Sequence, residues 1–227
     1  MSEREHTNKQ FDHQLRGLKD KLLLMGYHAE RMIADATRAL VERRPSLAEE
    51  VIDSDDTLDQ LEKEIDNLCY EVLALEQPVA RDLRFITTAL KIVRDIERIG
   101  DIGVNIAERA AELIREPELK RMIDLPIMAG AAQRILKESL DAFVNSDAEL
   151  AEKVILDDKF IDAYYEQMFR ELLTYMMEDT HNISRALKLL FIAKHLERVG
   201  DHSVNIAEMV IFLVRGQDIR HGTRSDS

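Results

Sequence analysis

The chain is 227 residues long, with 45% apolar and 33% charged residues and few glycines (8), prolines (4) or aromatics (5%, no Trp). That length supports a hydrophobic core without disulfide or metal staples, and the composition suits long amphipathic helices while excluding disordered, collagen-like and turn-rich β-sandwich classes. Forty-four acidic against 31 basic residues leave a formal charge of −13, which repels polyphosphate backbones and anionic lipid surfaces, so nucleic acid is not an expected partner.

Apolar residues recurring at i, i+3, i+4 and i+7 predict six helices, over about 8–44, 47–76, 79–115, 118–145, 147–178 and 181–215, and no strand. Ahead of the first, Met1 to His6 lacks the basic-then-apolar order of a signal peptide, and the lone Cys69 cannot form an internal disulfide, so the cytosol is the expected compartment. The second opens on Ser46-Leu47-Ala48-Glu49, an S-x-x-E capping box, and Cys69 sits in its apolar stripe with Ile65, Leu68 and Val72 as a core residue. The third and sixth each carry a mid-helix glycine, Gly100 and Gly200, which implies close approach of a neighbouring backbone or a bound ligand, the plain alternative being inherited helix packing. A second S-x-x-E, Ser146-Asp147-Ala148-Glu149, marks the fifth start. The prolines, Pro45, Pro78, Pro117 and Pro126, all sit at or near the breaks. Apolar runs such as Ala186 to Ala193, interrupted by Lys188, fall short of the roughly 18 residues a membrane span needs. Membrane association is therefore expected only peripherally, through partners.

The dominant pattern is internal repetition. Glu97-Arg98-Ile99-Gly100-Asp101-Ile102-Gly103-Val104-Asn105-Ile106-Ala107-Glu108 returns as Glu197-Arg198-Val199-Gly200-Asp201-His202-Ser203-Val204-Asn205-Ile206-Ala207-Glu208. Upstream, Leu47 to Ile52 returns as Leu150 to Ile155, shifted by three more residues. The expected fold is all-α: two tandem, internally repeated three-helix bundles, residues 1–116 and 117–227, the second ending in a flexible C-terminal tail.

Glu97 and Asp101 are one turn apart on a single helix face, as are Glu197 and Asp201, with Asn105 and Asn205 one turn further. A second row pairs Asp55 with Asp59 and Asp158 with Asp162. Acidic pairs at this spacing arise by chance roughly eight times in a chain this acidic, so the informative feature is their return at equivalent places in both halves. Carboxylates at i,i+4 repel unless a cation or a basic partner offsets the charge, and oxygen-only donors suit Mg²⁺, Mn²⁺ or iron better than structural zinc. The plain alternative is a solvated helix face partly neutralised by Arg94, Arg98, Lys194 and Arg198. Glu178-x-x-His181 has no mate in the first half, so a di-iron oxidase site is not expected, and no phosphate loop or nucleophile elbow is present.

At the duplicated E-R-x-G-D-x-x-x-N-x-A-E segments the sequence resembles the PhoU family of phosphate-transport regulators, from near Phe11 to about Arg215. The resemblance implies two similar bundles, a homodimer, a cytoplasmic location and no catalysis. It also implies carboxylate sites for divalent ions (Mg, Mn, Fe or Zn), formed by Asp55, Asp59, Glu97 and Asp101 in one half and Asp158, Asp162, Glu197 and Asp201 in the other, with Asn105 and Asn205 as auxiliary ligands. His195 stands where the first half has Asp95, so the two sites are not expected to be identical. The implied partners are the ATP-binding subunit of a phosphate ABC transporter and a sensor histidine kinase. The competing readings are a metal-dependent carboxylate-site enzyme and a metal-free helical scaffold.

Overall fold

The computed structural model describes residues 2–119 and 124–216. In chain order the helices are α1 (Ser2–Val41), α2 (Pro45–Asp53), α3 (Asp55–Glu76), α4 (Ala80–Ile114), α5 (Asp124–Asn145), α6 (Ala148–Glu178) and α7 (Ile183–Arg215), with a 3-10 turn at Thr180–Asn182 before α7. The described residues contain no strand. Glu118 and Leu119, expected to open the fourth helix, are not helical, while residues 120–123 of that expected helix and the expected C-terminal tail lie outside the described residues.

Five expected helices are single elements; the second is broken at Ser54. There the Ser54 hydroxyl donates to the Val51 carbonyl at 2.7 Å, competing with the helical ladder. The surrounding run Asp53-Ser54-Asp55-Asp56 is a poor helix former, whereas the equivalent run Leu156-Asp157-Asp158-Lys159 has Leu and Lys in place of two aspartates and keeps α6 continuous.

The expected capping boxes are not how these helices start. α2 begins after Arg44 with Pro45 in its first turn and no side-chain cap. α6 is capped by Asp147, whose carboxylate accepts from the backbone N–H groups of Glu149 and Leu150, both at 3.0 Å. Ser46 and Ser146 each miss the capping position by a residue or more, because the chain first makes the same left-handed turn in both halves. Arg43 (φ +54°) and Ser146 (φ +55°) occupy equivalent positions, and the next residues, Arg44 and Asp147, donate back to Ala39 at 2.9 Å and Ala142 at 2.8 Å, a Schellman closure in each case. Arg43 also donates to the Ile114 and Glu116 carbonyls, 2.5 and 2.6 Å, at the end of α4. Ser146 has no such duty, so Ser146→Gly relieves left-handed strain. It should add up to about 1 kcal/mol of stability, read as a higher urea midpoint at unchanged slope.

Packing explains the internal repeat. α1, α3 and α4 pack together, as do α5, α6 and α7, and the halves join through α1 on α5 and α4 on α7. Both joints pair equivalent helices, the pattern of a pseudo-twofold assembly. α4 and α7 run antiparallel: Lys188 bridges Glu112 (3.1 Å) and Glu116 (2.7 Å) at one end, while Asp95 meets His202 (2.8 Å) nearer the other. The apolar stripes of α1 (Leu22, Met25, Ile33), α4 (Ile92, Ile96, Ile99), α5 (Met128, Ile135) and α7 (Leu196, Val199) form one core that crosses the joint, and Cys69 lies inside it. Among the described residues no helix is long and apolar enough to cross a membrane.

Candidate functional site

With their apolar stripes turned into the core, α3 and α4 direct their carboxylate rows into one groove, and α6 and α7 do the same in the second half. Asp55 on α3 thereby lies within charge range of Asp101 on α4, and Glu62 on α3 within range of Glu97. Burial, then the charges of Asp59, Asp101 and Asp56, hold the Asp55 carboxyl above its ordinary range. Glu97 is raised by burial and by Asp101, with Arg98 opposing. Arg98 pairs with Asp101 at 2.9 Å and with Glu97 at 3.5 Å but is itself exposed, so it neutralises the groove weakly.

The second cluster is tighter. Asp158 is pushed up to about 7, by burial first and then by the charges of Asp162, Asp201 and Glu197. Asp162 is raised by burial and by Asp201, with Lys194 opposing. Lys194 pairs with Glu197 at 2.5 Å and lies 5.3 Å from the centre of the Tyr165 ring. Asp158 Oδ1 is buried and has no hydrogen-bond partner among the described residues. A methyl group added at Gly200 would stand 2.2 Å from that oxygen, whereas one at Gly100 would stand 2.0 Å from Leu58 Cδ2. The two glycines thus serve different ends: Gly100 admits a core side chain and Gly200 admits a carboxylate.

Eight of the expected site residues therefore form two clusters of four. The amides are engaged elsewhere: Asn105 Nδ2 donates to the Asp101 carbonyl at 2.7 Å and Asn205 Nδ2 to Asp95 Oδ1 at 3.4 Å. Only their side-chain oxygens remain as auxiliary donors. Glu62 joins the first cluster unforeseen, its carboxyl raised by burial, Asp66 and Asp59. It lies three residues beyond Asp59 and continues that row, a spacing visible in the sequence. Asp95 also escaped notice as a contact: it links the halves through His202 and Asn205. Its counterpart His195 has a buried Nδ1 without a partner among the described residues, and its pKa is lowered by burial, then by Arg198 and Arg109.

The donor set fits a hard divalent cation. It is all oxygen and self-repelling, partly buried though Asp162 and Asp201 are exposed, and the buried Asp158 Oδ1 has no hydrogen-bond partner among the described residues. Among the described residues no three His, Cys, Asp or Glu side chains converge closely enough to hold an ion, so any ion would be held only after side-chain rotation.

Fold and clusters together define a duplicated helical-bundle protein with one carboxylate groove per half. The PhoU domain matches residues 22–110 and again residues 125–210. A phosphate-specific transport system accessory protein PhoU homolog from Pseudomonas aeruginosa is 43% identical over 217 residues, 95% of this chain and 90% of that protein. One from Aquifex aeolicus is 43% identical over 208 residues, 92% and 94% of the two chains. The crystal structure of PhoU from Pseudomonas aeruginosa superposes with a TM-score of 0.86 at 43% identity, covering 91% of this chain and all of that one. The phosphate transport system regulatory protein PhoU from Streptococcus pneumoniae gives 0.84 at 30% identity, with 92% and 98% covered. The chain belongs to the PhoU family.

Proposed function

We propose that this protein is an accessory regulator of phosphate transport: a non-catalytic, cytoplasmic, homodimeric adaptor that restrains phosphate uptake and phosphate-starvation signalling. Its partners in this reading are the ATP-binding subunit of a phosphate ABC transporter and a sensor histidine kinase. The relatives named as accessory and regulatory proteins of phosphate transport support the first part. The observation that supports the rest is the pair of partly buried carboxylate clusters at equivalent places in the two halves.

Asp55, Asp59, Glu97 and Asp101 would hold one divalent ion site, and Asp158, Asp162, Glu197 and Asp201 the other. A bound cation supplies positive charge to grooves that otherwise repel acidic surfaces. The protein's own part is to hold four carboxyl groups per groove, to shield them by helix packing, and to present an α3–α4 or α6–α7 face whose charge depends on occupancy.

Calorimetric titration of the ion-free protein with Mn²⁺ should resolve two sites, and Glu97→Gln/Asp101→Asn should abolish one of them. Capture of the kinase or transporter subunit should fall on chelation and in that double variant. No heat with Mn²⁺, Mg²⁺, Fe²⁺ or Zn²⁺ defeats the metal reading. Capture indifferent to both treatments defeats occupancy-dependent docking.

A further inference from the structure

Away from the carboxylates, the halves differ on one exposed face. α6 and α7 are joined by the short turn Thr180–Asn182 and so run antiparallel. Residues equally far from that turn stand at matching heights: Phe169 with Phe191, Leu173 with Leu187, Met177 with Ile183. Each trio repeats every four residues and makes a row along its helix. All six are exposed, Met177 at 80%, Phe191 at 55% and the others between 39% and 44%. Contiguous apolar surface of this kind is uncommon on a monomer without a binding role.

The first half is an internal control. The equivalent positions on α3 and α4 are Asp66, Tyr70 and Ala74, and Leu83, Thr87 and Lys91. The same helix pair folds there with half of those positions polar or charged, so folding does not require the second row to be apolar. One turn before Phe169 the row meets Tyr165, whose ring lies under Lys194, and beyond it lie Asp158, Asp162, Glu197 and Asp201, which outnumber that lysine and leave the end of the strip acidic.

We propose that the α6–α7 face is the docking groove for an amphipathic helix of a partner protein, one whose apolar row is followed along its length by basic residues. The eight-residue rise from Phe169 to Met177 gives a strip of about 12 Å, or just over two helical turns, the scale of helix-in-groove recognition. In the ion-free protein the carboxylates at its end select positive charge on the occupant. They also disfavour two other occupants, an anionic lipid surface and a second copy of this chain, which carries −13 itself. This inference stands on the asymmetry between the halves, independently of which proteins are the physiological partners.

The test is fluorescence anisotropy with the full chain and a labelled synthetic peptide of about 18 residues, its leucines at i, i+3, i+4 and i+7 followed by four lysines. A scrambled peptide of equal composition controls for charge. The patterned peptide should bind roughly tenfold or more tightly than the scrambled one and weaken as salt rises from roughly 0.1 to 0.5 M. Leu187→Thr/Phe191→Lys, which copies the first-half residues onto α7, should remove that preference while circular dichroism stays unchanged. Equal binding of the two peptides, or undiminished preference in the variant, overturns the proposal. So does a wild-type dimer that becomes monomeric in the variant, which makes the strip a copy-to-copy contact, or vesicle binding to phosphatidylglycerol that the variant loses.

Discussion

Asp158→Asn raises the melting temperature of the ion-free protein at pH 8 by roughly 4–8 °C, an unusual gain for removing a charge from a surface groove. The Asp158 carboxyl moves from 3.8 to about 7 on folding, driven by burial and then by Asp162, Asp201 and Glu197. At ~1.4 kcal/mol per unit this amounts to about 4 kcal/mol, reduced to about 2 because solvent still reaches a large part of the side chain. The sign follows from proton uptake. Between pH 3.8 and about 7 the folded chain keeps a proton that the unfolded chain has released, so stability falls as pH rises through that window and levels off above it. Below pH 3.8 both states are protonated and the penalty vanishes. Thermal melts from pH 4 to 8 should therefore show the variant's advantage opening with pH, and parallel curves for the two proteins would contradict it. Mn²⁺ added at pH 8 should close the gap from the other side, by stabilising wild type more than the variant.

Phe143→Ala is the second large effect. Phe143 is fully buried on α5 and stacks on Phe85 of α4, centroids 4.6 Å apart and planes within 11°. Lys19 of α1 lies 5.3 Å from the Phe85 ring centre and donates to the Val144 carbonyl at 2.8 Å. One aromatic pair thus ties both halves to the first helix. Deleting the ring leaves a cavity and should cost roughly 3–5 kcal/mol, enough to lower the melting temperature by about 10 °C. Because the core runs across the joint, the loss should be shared: amide exchange should speed in α3 of the first half as well as in α6 of the second. Faster exchange in α6 with α3 unaffected would show that the halves unfold separately.

Periodicity carried most of the architecture in advance. An apolar stripe at helical spacing is a long-range average, so it survives local exceptions, and six stripes with short connections leave few packings. The exceptions are local competitions that periodicity does not see. Ser54 breaks its helix because a hydroxyl captures a carbonyl within a run of aspartates. Ser146 fails as a cap because it is taken into a left-handed turn, leaving the neighbouring Asp147 to do that work. The carboxylate rows were legible because duplication copied their spacing, whereas the contact of Asp95 with His202 joins residues 107 positions apart across the pseudo-twofold. No spacing within one helix reports such a contact. His195 announced an asymmetry by replacing Asp95, but only the antiparallel packing of α4 on α7 says what Asp95 faces.

That contact has an evolutionary corollary. In a ring of identical subunits every substitution is written twice, so a carboxylate placed at the symmetry joint meets its own image environment and must be acceptable at both addresses. Covalent fusion of the copies lifts that restriction. Asp95 can be matched to His202 while the mirrored address carries His195 and Ile102 instead, so one joint becomes a lock with a distinct key on each side. Each half is then free to specialise without its twin having to tolerate the same change.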